Sequence, residues 1–308
     1  MRDKIIRLIR LIAERDLGKE VSSLQHATYN DQRTLIKGIF NGGPDYSRGS
    51  VMLRLVVIDS LYSTNAGYSY FAFDEMAENI FALGEEEESA SDYFYRVALT
   101  GMDDCRLFSE PYGIKKNLGE GSKQMSLLSK YAYYCLMKNG DKYPLGFPIY
   151  DSLAKSVYPG VCQMMGIRPH ALPSMNTPDI KTYVLALSEL KTALFGDTRE
   201  QFFGFQQYDL LDAYLWRLGK LESGNLSLLL GREDYVKFVS RMMKSTGTAP
   251  STENSKLFDN RVMQYLLSAK APFSGLSNEE YLLELLEHWR VFHSAYKRKG
   301  FKGFPLMR

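Results

Sequence analysis

Apolar residues recur at helical spacing along most of this chain, whereas the strict alternation of a half-buried β-strand is almost absent. Near the N-terminus, Ile5, Ile9 and Ile12 lie on one stripe with charged residues opposite. Residues 2–15 are therefore predicted to form an amphipathic helix. Because helical apolar faces must be buried against one another, the pattern predicts an all-α fold. An apolar content of 45% over 308 residues is enough for a packed core.

The same spacing predicts helices through most of the remaining chain, separated by turns that contain glycine and proline. Residues 51–62 are apolar enough for a strand, but they follow the helical period, so a helix is predicted there. Pro159 and Gly160 are expected to end a short helix that begins at Asp151 or Ser152. The other predicted helices are 21–24, 31–40, 71–83, 91–99, 126–138, 179–195, 209–218, 235–243, 260–270 and 278–297.

Residues 1–231 are predicted to form a helical core, followed by a C-terminal helical extension of residues 232–308. Residues 219–231 are expected to form a weakly ordered junction. Residues 246–255, TGTAPSTENS, are small and polar and include one proline. That composition is typical of a linker.

The net charge gives no strong indication of a polyanionic partner, because it is only +2 with a pI near 8.2. One segment is locally basic and has tyrosines between its lysines, which are Lys115, Lys116, Lys123 and Lys130. It is interpreted either as a solvated face or as a nucleic-acid contact. The basic tail of residues 296–302 has the same two interpretations.

The three cysteines have no paired spacing, which predicts neither a disulfide framework nor a zinc site. His288 and His293 are not at the i, i+4 spacing of helical metal ligands, so no metal is expected, and no cofactor motif is present. No apolar run approaches the ~18 residues of a membrane span. A cytoplasmic protein without a membrane partner is expected, and the sequence leaves the oligomeric state open.

Residues 121–153 contain the pattern that carries most functional information. Lys130 lies early on a predicted apolar helix, and Asp151 lies at the start of the next one. The helix rises only ~12 Å from Lys130 to its end, while residues 139–150 can span up to roughly 40 Å. The return can therefore bring Asp151 beside Lys130. An amine and a carboxylate that converge suit nucleophilic attack at an acetal-like carbon.

This stretch resembles a known catalytic segment. A serine and a lysine, an apolar helix, an acidic turn and a proline-containing return to an aspartate form a pattern similar to that of the helix-hairpin-helix DNA glycosylases. The resemblance is closest to the 8-oxoguanine DNA glycosylases and their bacterial look-alikes. It covers residues 121–153, with weaker echoes at residues 53–83 and at residues 208–220, which include the pattern LDxxLWxxGK. It implies a multi-helix glycosylase-like core with appended C-terminal helices.

The resemblance also implies an activity. A protein of this family would be an N-glycosylase with lyase activity, acting in base-excision DNA repair on an oxidised purine such as 8-oxoguanine in double-stranded DNA. Lys130 would form a Schiff base with deoxyribose C1′, and Asp151 would assist as a carboxylate. Lys123, Ser129 and Tyr150 would contact the substrate.

One departure from the family leaves a second function open. The family's glycine-rich turn just before the lysine is replaced here by residues 124–129, QMSLLS, with glycines only at positions 119 and 121. In the family, the backbone N–H groups of that turn hold a DNA phosphate. The alternative is a non-catalytic all-α module on the same scaffold that binds nucleic acid or protein.

The proposed chemistry makes two further demands on the chain. Lys130 must lose its proton, so burial or neighbouring positive charge has to lower its pKa, and Lys123 and the helix N-terminus are the expected sources of charge. A base that leaves the duplex must be held between aromatic or apolar faces. The aromatic candidates are interpreted either as that pocket or as core, and they are Tyr131, Phe147, Tyr150 and Phe205.

Overall fold

The computed structural model describes residues 1–17, 29–42, 45–62, 66–84, 86–172, 179–247 and 255–298. These residues form thirteen α-helices and one two-stranded antiparallel hairpin, so the predicted all-α class is confirmed. The elements are α1 Arg2–Ile12, α2 Tyr29–Gly42, α3 Arg48–Tyr62, α4 Ala72–Phe81, α5 Glu87–Thr100, β1 Tyr112–Ile114, β2 Glu120–Ser122, α6 Met125–Met137, α7 Ser152–Met164, α8 Ile180–Phe195, α9 Gln207–Glu222, α10 Ser227–Leu230, α11 Arg232–Thr246, α12 Ser255–Ser268 and α13 Glu279–Arg298.

The chain forms two compact units, and neither is continuous in sequence. Unit 1 consists of residues 1–31, 153–169 and 213–308, and unit 2 consists of residues 32–152 and 170–212. Helices α1 and α13 thus belong to the same unit and are in contact. The predicted division at residue 231 does not coincide with either unit, and it stays a prediction.

Unit 2 is organised around α6. Helix α3 packs against α4 and α6, and α5 packs against α6 and α8. The sequence predicted α6 within one residue at each end, but with only one buried stripe. Every residue from Leu127 to Leu136 is buried instead, because neighbouring elements cover the helix all round. Its tyrosines and Lys130 are therefore interior residues.

A β-hairpin precedes α6 in the place where no strand was predicted. Tyr112 pairs with Ser122 and Ile114 pairs with Glu120, and Tyr70 adds a single antiparallel bridge to Ile114. A strand of three residues is too short to show an alternating pattern, so no strand could be predicted here. The segment just before α6 is consequently a β-hairpin.

One helix, most of which lies in unit 1, is longer than predicted. Helix α7 continues through Pro159 to Met164, although proline was expected to stop it. Val157, Tyr158 and Val161 are fully or almost fully buried, and we attribute the continuation to this packing, which offsets the hydrogen bond that proline cannot make. In the same unit, Glu222 accepts hydrogen bonds from Trp289 Nε1 at 3.0 Å and from His293 Nδ1 at 2.8 Å.

The remaining predictions concern the junction, one short helix and the linker. Residues 219–231 are not a weakly ordered junction, because α9 continues to Glu222 and α10 occupies Ser227–Leu230. The predicted helix at 21–24 and most of the predicted linker, residues 248–254, lie outside the described residues. Among the described helices, none combines the length and the apolar character that a membrane crossing requires.

Candidate active site around Lys130

A return segment, residues 139–151, leads from α6 to Asp151, and it is exposed at its start and buried from residue 145 to residue 150. It contains no helix or strand, yet Tyr143, Phe147 and Tyr150 are at most 2% exposed. The Gln206 side-chain amide donates to Leu136 O at 2.9 Å and to Tyr143 O at 2.7 Å. These bonds connect the end of α6 to the return segment, residues 139–151, which we call the strap.

The far end of the strap is attached to α6 and α8. Tyr150 N donates to Ser129 Oγ at 2.9 Å, and Tyr183 OH donates to Ile149 O. The Tyr150 and Tyr183 rings also meet edge to face, with centroids 4.9 Å apart. Asp151 follows directly and precedes α7, so its position relative to α6 is fixed by several independent contacts.

Lys130 lies inside the protein with its amine turned back along α6. The residue is 3% exposed, and Nζ donates to Ser126 Oγ at 2.8 Å. A helical side chain leans toward the helix N-terminus, which brings Lys130 to the residue four positions earlier. Nζ also lies 5.4 Å from the centroid of the Tyr62 ring. The amine is thus held between a hydroxyl and an aromatic face.

The electrostatic surroundings of Lys130 act in opposite directions. Burial lowers the pKa of Lys130 below its usual value of 10.5, and the negative charges of Asp151 and Asp212 oppose that change. Burial is the larger effect. Within residues 86–172 and 179–247, Lys130 forms no ion pair with either carboxylate. Both carboxylates therefore influence the pKa of the amine, while the amine itself is hydrogen-bonded to a neutral hydroxyl.

Three tyrosines, Tyr62, Tyr134 and Tyr183, lie in or next to this polar cluster. The Tyr62 and Tyr134 hydroxyls are 2.5 Å apart. The pKa values of Tyr62 and Tyr183 are both raised, first by burial and then also by the charges of Asp151 and Asp212. The two carboxylates therefore act on an amine and on phenols in one interior region.

The structure separates the residues that were predicted to contact substrate. Ser129 is fully buried and holds Tyr150 N, and Tyr150 is 2% exposed, so both position the strap. Lys123 is exposed between β2 and α6. It is not among the charges that act on Lys130, and burial, the other expected cause, lowers the pKa of that lysine.

Two of the aromatic candidates for a base pocket belong to the core. Tyr131 and Phe147 are fully buried, and the Phe147 ring stacks on Phe108 with centroids 5.4 Å apart. The core interpretation is confirmed for this pair. The basic segment is also divided, because Lys115, Lys116 and Lys123 are exposed while Lys130 is interior.

Sequence reasoning missed three members of the cluster: Ser126, Tyr62 and Asp212. Ser126 could have been found, since it lies one helical turn before Lys130. Asp212 is the acidic residue of the LDxxLWxxGK pattern and is only 7% exposed. Its place in that pattern is the signal that could have found it. Tyr62 carried no signal, because tyrosine is a common core residue.

A second buried charge cluster lies on α2, α6 and α9. Arg33 and Asp209 are each 4% exposed and form an ion pair, and Tyr133 OH donates to the other Asp209 oxygen at 2.6 Å. Burial, together with the charge of Arg33, lowers the pKa of Lys37 to about 8. In this cluster a buried guanidinium and a buried carboxylate form a direct ion pair.

The arrangement around Lys130 supplies an amine whose pKa is lowered by burial, with two carboxylates within electrostatic reach of it. No group of three or more histidine, cysteine or acidic side chains suited to a metal ion occurs in the part of the chain that the structure describes. Comparisons with protein-family models, with curated proteins and with solved structures found no match.

Proposed function

We propose that this protein is a DNA N-glycosylase and lyase that excises an oxidised purine, such as 8-oxoguanine, through a Schiff base on Lys130. The observation that carries the proposal is the state of that amine. Burial lowers its pKa, and Asp151 and Asp212 lie within electrostatic reach. A lowered pKa raises the fraction of the amine that is neutral, and the neutral amine is the nucleophilic form. The choice of DNA and of an oxidised purine comes from the sequence resemblance.

The proposed reaction proceeds in two bond exchanges at C1′. The neutral amine attacks C1′ while the bond from C1′ to the purine nitrogen breaks, and the base leaves with the electron pair and takes up a proton. The proton lost by the amine passes to a carboxylate, for which we propose Asp151. The bond from C1′ to the ring oxygen then breaks, that oxygen takes a proton, and an iminium joins C1′ to Nζ.

Lyase activity follows from the same intermediate. The iminium acidifies the C2′ hydrogen, so a base can remove that proton. The electrons left at C2′ expel the 3′ phosphate as the bond from C3′ to oxygen breaks. Asp212 is the second carboxylate that acts on Lys130, and we propose that it stabilises the positive charge of the iminium.

The burial of Lys130 favours a second candidate function. The residue is 3% exposed, and its amine is already bonded to Ser126. A lysine in this position can serve only the fold, in which case the chain is a non-catalytic module that binds nucleic acid or protein. The two candidates differ in one observable, which is whether the amine ever forms a covalent bond to a sugar.

Borohydride trapping separates the two candidates. The substrates are oligonucleotides that carry 8-oxoguanine or a preformed abasic site, because hydride reduces the iminium to a stable protein–DNA adduct. We expect an adduct with the wild type and none with Lys130→Met. Methionine is preferred to alanine because it fills most of the space of a buried lysine.

Lys191→Met is the matched control. Lys191 is 6% exposed on α8 in the same unit, and burial also lowers its pKa. This variant should be trapped like the wild type. Equal trapping of wild type and Lys130→Met would remove Lys130 from the mechanism. No adduct with wild type on either substrate would leave the non-catalytic module as the function.

A further inference from the structure

Two segments of unit 2 carry the two most exposed of the large hydrophobic residues described. Leu118 is 88% exposed at the tip of the hairpin and Phe71 is 65% exposed, while Tyr70 and Ile114 are 56% and 39% exposed. The bridge between Tyr70 and Ile114 joins the two segments. We call these four residues the knuckle. Large apolar side chains left in solvent on joined segments are candidates for an interaction site.

Backbone strain coincides with this exposure. Leu118 has φ 60° and Phe71 has φ 65°, in the left-handed region that bulky side chains rarely adopt. Neither residue gains burial in return. Strain that the fold maintains at exposed positions is commonly connected with function.

The knuckle is also held rigidly. Lys115 N donates to Gly119 O at 2.9 Å, and Leu118 N donates to Lys115 O at 2.9 Å, which closes the turn at the tip of the hairpin. A Cβ on Gly121 would lie 1.7 Å from Tyr112 O, so the strands approach more closely there than any other residue would allow. The apolar side chains are therefore presented on a preformed support.

The charges around the knuckle favour a polyanion. Lys115 and Lys116 are exposed in the same turn. Of the acidic residues on the adjacent α4, Glu75 accepts from Gly113 N at 2.7 Å, and Asp74 and Glu78 both pair with Arg48. Glu120 is exposed on β2. The tip itself carries two lysines and no carboxylate.

We propose that the knuckle inserts into a DNA duplex beside the damaged nucleotide, with Leu118 entering the base stack and Lys115 and Lys116 facing phosphates. Apolar side chains that enter a base step separate its bases and open the duplex. The inference rests on the proposed function, in which the target base must leave the stack before Lys130 reaches C1′. The hairpin leads through β2 directly into α6, which carries that lysine.

The test uses a duplex that cannot react. It carries a tetrahydrofuran analogue of an abasic site, with 2-aminopurine as the neighbouring base, and 2-aminopurine fluorescence rises when that base unstacks. We expect the wild type to raise the fluorescence. Leu118→Gly should abolish the rise and weaken binding by about 10- to 100-fold, the effect of losing one buried leucine side chain.

Leu118→Gly is informative because it should not damage the fold. Glycine adopts φ 60° without steric cost, so the thermal midpoint should stay the same or rise. Leu185→Ala is the matched control, because Leu185 is an exposed leucine of α8 in the same unit, 47% exposed. It should behave like the wild type in fluorescence and in binding.

The outcomes for the knuckle and for Lys130 are distinguishable. Unchanged fluorescence and affinity in Leu118→Gly would overturn insertion, whatever borohydride trapping shows. A wild type that unstacks the probe but forms no adduct would overturn the Lys130 chemistry and leave insertion in place. If Leu118→Gly instead changes the oligomeric state in light scattering, the knuckle binds a second copy of the chain and the inference is wrong.

Discussion

Two buried cations of unit 2 lie near carboxylates of the same helix, α9, and they are held differently. Arg33 forms an ion pair with Asp209, and Tyr133 donates to that carboxylate as well. The charge of Asp212, which lies three residues after Asp209 on α9, acts on the pKa of Lys130. The Lys130 amine itself donates a hydrogen bond to the hydroxyl of Ser126. The same helix thus provides one matched ion pair and one carboxylate that acts at longer range.

The difference shows which of the two cations can change its charge. An arginine keeps its proton at any physiological pH, and a bonded carboxylate stabilises it further. A lysine gives up its proton when burial exceeds the attraction of nearby carboxylates. The Arg33 region therefore has the properties of a structural ion pair, whereas in the Lys130 region burial lowers the pKa of the amine, as the proposed chemistry requires.

The largest expected effect concerns chemistry. Asp151→Asn should lower the rate of 8-oxoguanine excision by about 10²- to 10⁴-fold, the usual contribution of one acid–base group. Adduct formation at a preformed abasic site should persist, because the amine remains and no glycosidic bond has to break. Single-turnover excision and borohydride trapping measure the two steps. An equal loss in both assays would show that Asp151 supports the fold rather than the bond cleavage.

The corresponding change in the other region should affect stability alone. Asp209→Asn leaves Arg33 buried without its carboxylate, which should cost about 3–5 kcal/mol of unfolding free energy. Urea denaturation measures this cost. If trapping at an abasic site is normal in the folded variant, the contrast between the two clusters is sharpened. A loss of trapping without a loss of stability would show that the two clusters do not differ in this way.

The third prediction uses pH. Between its lowered folded value and 10.5, the pKa of Lys130 in the unfolded chain, the unfolded state holds a proton that the folded state has lost. Wild-type stability should therefore rise with pH through this window, relative to Lys130→Met. The variant should be more stable than the wild type near neutral pH, and the difference should shrink toward pH 10. A difference that does not change with pH would mean that the Lys130 pKa is not lowered.

The smallest expected effect is that of Tyr62→Phe. It removes the hydroxyl that bonds to Tyr134 but keeps the ring next to the Lys130 amine. The loss should be about 0.5–1.5 kcal/mol of stability, with trapping within a few fold of wild type. Thermal denaturation and trapping rates test this directly. A collapse of trapping would show that the phenol, rather than the ring, acts on the amine.

Most helices were predictable from this sequence because their apolar residues repeat with the helical period. Residues 51–62, which composition allowed as a strand, form α3, as their spacing predicted. Lys130 and Asp151 could be selected because one lies early on a helix and the other ends the short return that follows that helix. Whether they act as a catalytic pair stays a prediction.

What could not be predicted depends on contacts that are distant in sequence. The burial of α6 on every side depends on α3 and α5, and the charge of Asp212 reaches Lys130 only after α9 packs. The path of α7 through Pro159 was missed because local rules cannot weigh the packing around that turn. The knuckle was missed because nothing in the sequence shows that Leu118 is exposed.

The strap carries a consequence for how such a chain can change over generations. Loops normally accept inserted and deleted residues, since their length has little effect on packing. Here one added residue would displace the chain by about 3.3 Å between the Gln206 and Ser129 attachments, and the buried tyrosines of the strap would lose their places. Length variation should therefore be excluded from residues 143–150 as strictly as from a core helix, although most of these residues have no regular secondary structure.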